Sequence, residues 1–341
     1  MLSMKDKASK KKNFLKKKFI QICRILGFEI IDQGLYEVST AEKKIHETLS
    51  VVGCESITVP TGSFKVSRKA KNLNIILRTC MLDAMLAQKK KRLFEDKKIE
   101  YTLRCLQSII NSVDFFYTKQ NNNFDINITI LDTRSNNDQI NILKNFIEKK
   151  NYQIDLKITD MNKYTDKIKD INSISMQSFM SNLYHSLELG KNGNSDLVFY
   201  VDDDYILKKE CIHELILSYE KFSSIIKREI FLCPADYPYL YFQPENTYIL
   251  LGEKYHWRRI KESLCMFLTS KELINSRWDD LIKLANSYNQ PFETPLHRIY
   301  EDEICLSSIP SLSMHCANIN SIFGIPPNTN WEKLWEEAKY D

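Results

Sequence analysis

The sequence predicts an α/β fold: a parallel sheet in the first half of one large domain, a mixed sheet beyond it, and a small N-terminal extension. Three observations carry this. From Leu73 onward, short β-rich apolar runs alternate with segments of helical periodicity, the pattern of a parallel sheet with right-handed crossovers. One run, Leu197-Val198-Phe199-Tyr200-Val201, is apolar at every position, as a strand buried on both faces requires, and it stops at three consecutive carboxylates, Asp202, Asp203 and Asp204. Only 8 Gly and 9 Pro occur in 341 residues, which leaves little room for long flexible linkers.

Length and composition agree with this. A chain of 341 residues can bury a large core, and its 43% apolar and 27% charged content is that of a soluble globular protein. The nine cysteines are scattered without a Cys-x-x-Cys pair, a spacing for neither a zinc site nor a disulfide framework, so free thiols in a reducing cytoplasm are expected. Neither a long apolar run nor the apolar core of a signal peptide is present. Nucleic acid is excluded as a partner, because the net charge is only +4 and the basic residues are not interleaved with stacking aromatics.

Residues 1–70 are read as the extension. Its first 18 residues hold eight Lys and one Asp, and Leu15, Phe19, Ile22, Cys23 and Leu26 recur at helical spacing between Asn13 and Phe28. Such a basic amphipathic helix can lie peripherally on an anionic membrane face. A helix from Thr40 to Leu49 and a short strand and turn at Ser56–Ser63 are expected next.

From residue 71 the main domain begins, in two halves, 71–205 and 206–341, which the family resemblance given below would make a nucleotide-sugar-binding half and an acceptor-binding half. Strands are expected at Leu73–Thr79, Ile126–Leu131, Gln153–Ile158 and Leu197–Val201. The helices between them are placed at Phe94–Phe115, Asp138–Glu148 and Met176–Leu189, which makes a Rossmann-like half-domain, and a helix from Lys208 to Ile225 follows the aspartates. This order brings Arg78, Thr79, Asp132 and Asp202 to the carboxyl edge of one sheet, where open α/β sheets bind ligands. Crowded carboxylates relieve their repulsion by raised pKa values or a bound cation, and hard oxygen ligands suit Mg²⁺ or Mn²⁺. No Gly-x-Gly-x-x-Gly or Gly-rich phosphate loop follows any strand, so phosphates would depend on metal and side chains.

Further on, Glu229–Tyr241 reads as a strand entering an aromatic loop, and Thr247–Leu251, His256–Arg259 and Leu264–Thr269 as short strands. Tyr237, Tyr239 and Trp257 are candidates to stack on sugar rings. The segment Tyr300-Glu301-Asp302-Glu303 is read as an acidic start to an apolar helix, and His315 as an imidazole suited to Mn²⁺. A short helix closes the chain.

An apolar strand, Asp-x-Asp and then a helix resembles the metal-binding motif of nucleotide-sugar-dependent glycosyltransferases of the GT-A fold. With the later Glu-Asp pair it is similar to family-2-like enzymes, and to bacterial and phage glycosyltransferases carrying such a motif. The resemblance spans about residues 71–320. It implies that Asp202 and Asp204, with His315, hold a Mn²⁺ or Mg²⁺ ion on the diphosphate of a nucleoside-diphosphate sugar. It further implies that Arg78, Thr79, Asp132, Asp202 and Asp203 contact the nucleotide. Asp302, with Glu301 as second choice, would be the general base that takes the proton of an acceptor hydroxyl, giving inversion. The acceptor would be a glycan, a lipid-linked sugar or a protein. The strand end Arg78-Thr79 departs from the commoner Pro-x-Tyr/Phe-Asn of that family. Carboxylates with Mg²⁺ also serve nucleotidyltransferases and phosphohydrolases, and a non-catalytic nucleotide- or carbohydrate-binding protein could carry the same groups.

Overall fold

The structure is a computed structural model that describes residues 4–28, 30, 65–82, 92–120, 124–242, 246–286 and 293–340. It divides into two units, Met1–Lys65 and Val66–Asp341, close to the expected boundary at residue 70. In the first, helix α1 (Met4–Ile25) is longer than expected, and Phe14, Leu15, Phe19 and Ile22 lie exposed along it. The expected helix at 40–49 and the strand at 56–63 lie outside the described residues.

The second unit opens with β1 (Asn72–Thr79), α2 (Lys98–Lys119), β2 (Asp125–Asp132), α3 (Asn137–Glu148), β3 (Ile154–Ile158), α4 (Ile174–Asn192) and β4 (Leu197–Asp202). Local chemistry sets these boundaries. Asn136 and Gln139 form a capping box at the start of α3, and Ser173 caps α4 through the Met176 amide. β1, β2, β3 and β4 are all parallel, and Leu197 to Val201 are essentially inaccessible, as an all-apolar strand covered on both faces should be. Helix α4 comes so close to β4 that a Cβ at Gly190 would collide with the Tyr200 hydroxyl.

Beyond β4 the acidic turn leads into β5 (Tyr205–Leu207), a short strand that the sequence reading left unassigned between the aspartates and the helix, and then α5 (Cys211–Ile226). Next come β6 (Phe231–Cys233), β7 (Ile249–Leu251), β8 (His256–Ile260), β9 (Phe267–Ser270), α6 (Lys271–Ser276), α7 (Trp278–Leu281) and α8 (Thr294–Asp302). β10 (Cys305–Ile309), β11 (Ser313–His315) and α9 (Trp331–Glu337) complete the unit. The main sheet has nine strands in the order β3-β2-β1-β4-β9-β6-β10-β8-β7, parallel in its first half and mixed in its second, while β5 and β11 form a separate ribbon. The fold class is therefore the expected one, an α/β protein on a large mixed sheet. Every described cysteine is a free thiol. No helix among the described residues is long and apolar enough to cross a membrane.

One expectation is reversed. Tyr300 to Asp302 end α8 rather than begin a helix, and the apolar run after them is β10. A short apolar run, Ile304-Cys305-Leu306, behind an acidic cluster fits a strand as well as a helix, and pairing with β6 and β8 decides it.

Candidate active site

The register aligns the strand ends. Arg78 of β1 stands opposite Asp202 of β4, and Thr79 stands opposite Asp132 of β2. Arg78 Nε donates to Asp202 Oδ1 at 2.7 Å and Nη2 to the Cys265 carbonyl at 2.9 Å. Burial disfavours the Arg78 charge, but Asp202 outweighs it and holds the guanidinium more firmly protonated than usual. Thr79 Oγ1 donates to Asp132 Oδ2 at 2.7 Å, and Ser135 donates to the same carboxylate through its hydroxyl at 2.6 Å and its amide at 3.2 Å. Thr79 and Asp132 are both buried. Thr79 donates to Asp132, whose carboxylate is further engaged by Ser135, so the pair shapes the edge without presenting free groups to a nucleotide.

Each aspartate of the turn has its own cation. Asp203 is buried, takes Lys98 Nζ as an ion pair, and accepts from Thr102 Oγ1 at 2.9 Å and the Cys80 amide at 3.3 Å. Burial pushes its carboxyl up, with Lys98 opposing and Asp204 adding to the rise. Asp204 Oδ2 accepts from Arg92 Nη1 at 2.6 Å and faces His315 Nε2 at 3.5 Å. Burial opposes its charge, yet His315, Arg92 and Lys98 together hold its carboxyl well below the usual carboxylate range.

His315 is placed by the β5–β11 ribbon. It pairs in register with Tyr205, whose ring stacks on the imidazole at 4.6 Å and 11°. Its Nδ1 lies 2.8 Å from the Phe323 carbonyl, which can only accept, so Nδ1 carries a proton and Nε2 is the nitrogen turned toward Asp204.

That arrangement tests the metal expectation. Among the described residues no group of three or more His, Cys, Asp or Glu side chains converges to hold a metal ion. Asp202 is drawn to Arg78, which leaves Asp204 and His315 as two ligands of the right kind, with the second ring nitrogen of His315 anchored as metal-binding histidines usually are. Two protein ligands suit an ion that completes its shell on phosphate oxygens and water. The donor set therefore fits a cation shared with a diphosphate and does not fit one caged by protein alone.

Arg92 and Lys98 escaped the sequence reading. Their signal was the run Lys89-Lys90-Lys91-Arg92 and Lys97-Lys98 just ahead of a helix. Phe94 and Glu95 beside them adopt φ of 73° and 55°, a conformation that costs about 1–3 kcal/mol per residue. Contacts hold this loop: Phe94 stacks on Trp335 of α9 at 4.1 Å, the Leu93 amide donates to the Ala317 carbonyl at 2.9 Å, and the Tyr101 hydroxyl donates to Leu93.

Asp302 and Glu301 are not at this edge. β10 runs parallel to β6, and β6 and β4 both run antiparallel to β9, so the start of β10 lies at the amino end of β4. Counting through the register, the start of β10 lies level with Val198 of β4, and Asp302 ends α8 three residues before it. Its side chain is 68% exposed with Arg277 at 3.4 Å, and Glu301 is exposed as well. The structure does not bring Asp302 and Glu301 together with the acidic turn. Trp257 and Tyr237 are buried and cannot stack on a sugar.

Glu293, just before α8, is buried and has neither a cation nor a side-chain donor among the described residues. Burial, opposed by its own backbone N–H and reinforced by nearby Asp202, raises its carboxyl to about 7.

No protein-family model matches the chain, and no curated protein is similar to it in sequence. Solved structures of related architecture include residues 1–349 of S. aureus TarS, at 13% identity and TM-score 0.41, covering 71% of this chain and 59% of that one. The galactosyltransferase LgtC, in complex with donor and acceptor sugar analogs, matches at 12% identity and TM-score 0.39 over 78% of this chain and 95% of its own. The inositol-1-phosphate CTP transferase of T. maritima matches at 9% identity and TM-score 0.39, covering 80% and 97%. Likenesses this loose carry nothing about chemistry.

Proposed function

We propose that this chain is a glycosyltransferase that moves a sugar from a nucleoside diphosphate to a glycan, lipid-linked or protein acceptor. One observation carries the proposal: Asp204 and His315 converge at the carboxyl edge of a parallel half-sheet, ringed by Arg78, Arg92 and Lys98. A cationic rim with one pair of metal-type ligands suits a diphosphate. A bound Mn²⁺ or Mg²⁺ at Asp204 and His315 would supply positive charge to the departing diphosphate.

The chain's own groups do the rest. Arg92 and Lys98 orient the phosphates, Arg78 holds Asp202 in place at the rim, and Thr79 with Asp132 shapes the floor beneath the nucleoside. Glu293 replaces Asp302 as the group that accepts the acceptor hydroxyl's proton, since a carboxyl raised to about 7 is a competent base near neutral pH. The basic helix α1, with Phe14, Leu15 and Phe19 exposed, would bring the enzyme to an anionic membrane face, which sedimentation with anionic vesicles tests.

Thermal shift with UDP-, GDP- and CDP-sugars, with and without Mn²⁺, tests the main reading together with an assay for diphosphate release. Metal-dependent stabilisation by a nucleotide sugar and its turnover are expected. Release of pyrophosphate from a nucleoside triphosphate would instead make the chain a nucleotidyltransferase, and silence toward every nucleotide sugar would sink the proposal.

A further inference from the structure

A cavity of about 370 Å³ opens on the antiparallel wing of the sheet, away from the aspartates, with Tyr239, Phe242, Arg258, Lys261, Glu262 and Ile322 in its lining. Its size falls within the range of small-molecule sites. Three features give it a chemical character. Phe242 is 67% exposed, an apolar ring offered to solvent where none is needed for the core. Arg258 is fixed before any ligand arrives, with Nη2 on the buried Asp236 at 2.5 Å and its guanidinium 4.4 Å from the centre of the Tyr241 ring. Its Nε–H is buried with no hydrogen-bond partner among the described residues. Glu262, exposed in the lining, adds an acceptor. Aromatic faces with one fixed cationic donor and one carboxylate match a sugar ring, which shows apolar C–H faces to the first and hydroxyls to the other two.

The cavity is also tied to the candidate active site. The Tyr239 amide donates to the Ile322 carbonyl at 3.1 Å, and the Tyr239 ring meets Phe323 at 5.0 Å. Phe323 in turn supplies the carbonyl that fixes His315 Nδ1. Adjacent residues, Ile322 and Phe323, thus support the cavity wall and the site histidine. On the other side, Tyr237 stacks on Tyr239 at 5.8 Å and shares a hydroxyl hydrogen bond of 2.8 Å with Tyr205, the ring that covers His315.

We propose that this cavity is a carbohydrate subsite that grips a sugar unit of the acceptor remote from the bond being made, so that the acceptor is a saccharide chain long enough to reach both sites rather than a protein side chain. This rests on the glycosyltransferase reading and adds the substrate class to it. A rigid cationic donor holds the acceptor without a large ordering cost, and the aromatic wall supplies most of the contact area.

The test uses the full chain and two substitutions that leave the core untouched, Phe242→Ala and Glu262→Gln. A glycan array of neutral and acidic oligosaccharides identifies a binder, and its affinity and acceptor KM are then measured for all three proteins. About tenfold weaker binding and a matching rise in acceptor KM are expected for Phe242→Ala, with donor hydrolysis and the nucleotide-sugar thermal shift unchanged. Glu262→Gln should weaken neutral glycans and spare or improve acidic ones. Three results overturn the proposal: no array glycan binds, both variants keep the wild-type acceptor KM, or only peptide acceptors are glycosylated. Each of these leaves the donor response intact, whereas failure of the underlying reading shows as a wild type that ignores nucleotide sugars.

Discussion

Arg92 Nη1 donates at 2.6 Å to Asp204 Oδ2, the same oxygen that faces His315 Nε2. A guanidinium and a divalent cation would compete for that oxygen. Arg92→Gln should bind Mn²⁺ about tenfold more tightly, since a hydrogen bond to a charged group contributes about 1.5–3 kcal/mol. Titration calorimetry without nucleotide reads this directly, and Asp204→Asn should abolish the signal. Equal affinities in wild type and Arg92→Gln would show that the two cations do not share the site.

Glu293→Gln should stabilise the protein at alkaline pH. Its carboxyl goes from an ordinary 4.5 to about 7 on folding, so folding favours the protonated form; its contribution is full below about 4.5 and is lost as pH rises through about 7. Removing the charge should therefore add up to about 3 kcal/mol at pH 8 and little at pH 4, by urea denaturation. Transfer should fall about 10²–10⁴-fold, and the rise of wild-type activity through neutral pH should disappear. A variant no more stable than wild type at pH 8 would contradict the buried, unpaired setting.

Asp202→Asn removes the partner of an Arg78 that is only 5% exposed. A buried charge stripped of its partner costs about 3–5 kcal/mol, and because Asp202 itself is 27% exposed the loss should sit near the lower end. Chemical denaturation measures it.

Asp302→Asn is the contrasting case. At 68% exposure, on the far edge of the sheet, it should change stability by less than about 0.5 kcal/mol and leave transfer at the wild-type rate. A large loss of turnover would restore Asp302 to the chemistry.

Gly190→Ala should destabilise without touching the site, because its methyl would displace the buried Tyr200 hydroxyl and push α4 off β4. Overpacking of this kind costs about 1–3 kcal/mol, read as a lower melting temperature with unaltered donor affinity.

What the sequence made legible was the parallel half. Runs such as Leu73–Thr79 and Leu197–Val201 are buried on both faces, so composition alone marks them as strands, and their order places Arg78, Thr79, Asp132 and Asp202 on one edge. The antiparallel half was harder. β5 and β10 are short and depend on partners far along the chain, so pairing rather than propensity decides them. Arg92 and Lys98 were hidden in a basic run that resembles any solvated stretch. Glu293 had no motif at all; only burial beside Asp202 singles it out.

The loop that carries Arg92 is propped by Trp335, and His315 comes from the same late part of the chain. On the ribosome, residues up to Asp204 emerge long before either support does. The nascent protein would thus display a finished parallel half-sheet whose last aspartate still lacks its permanent neighbours.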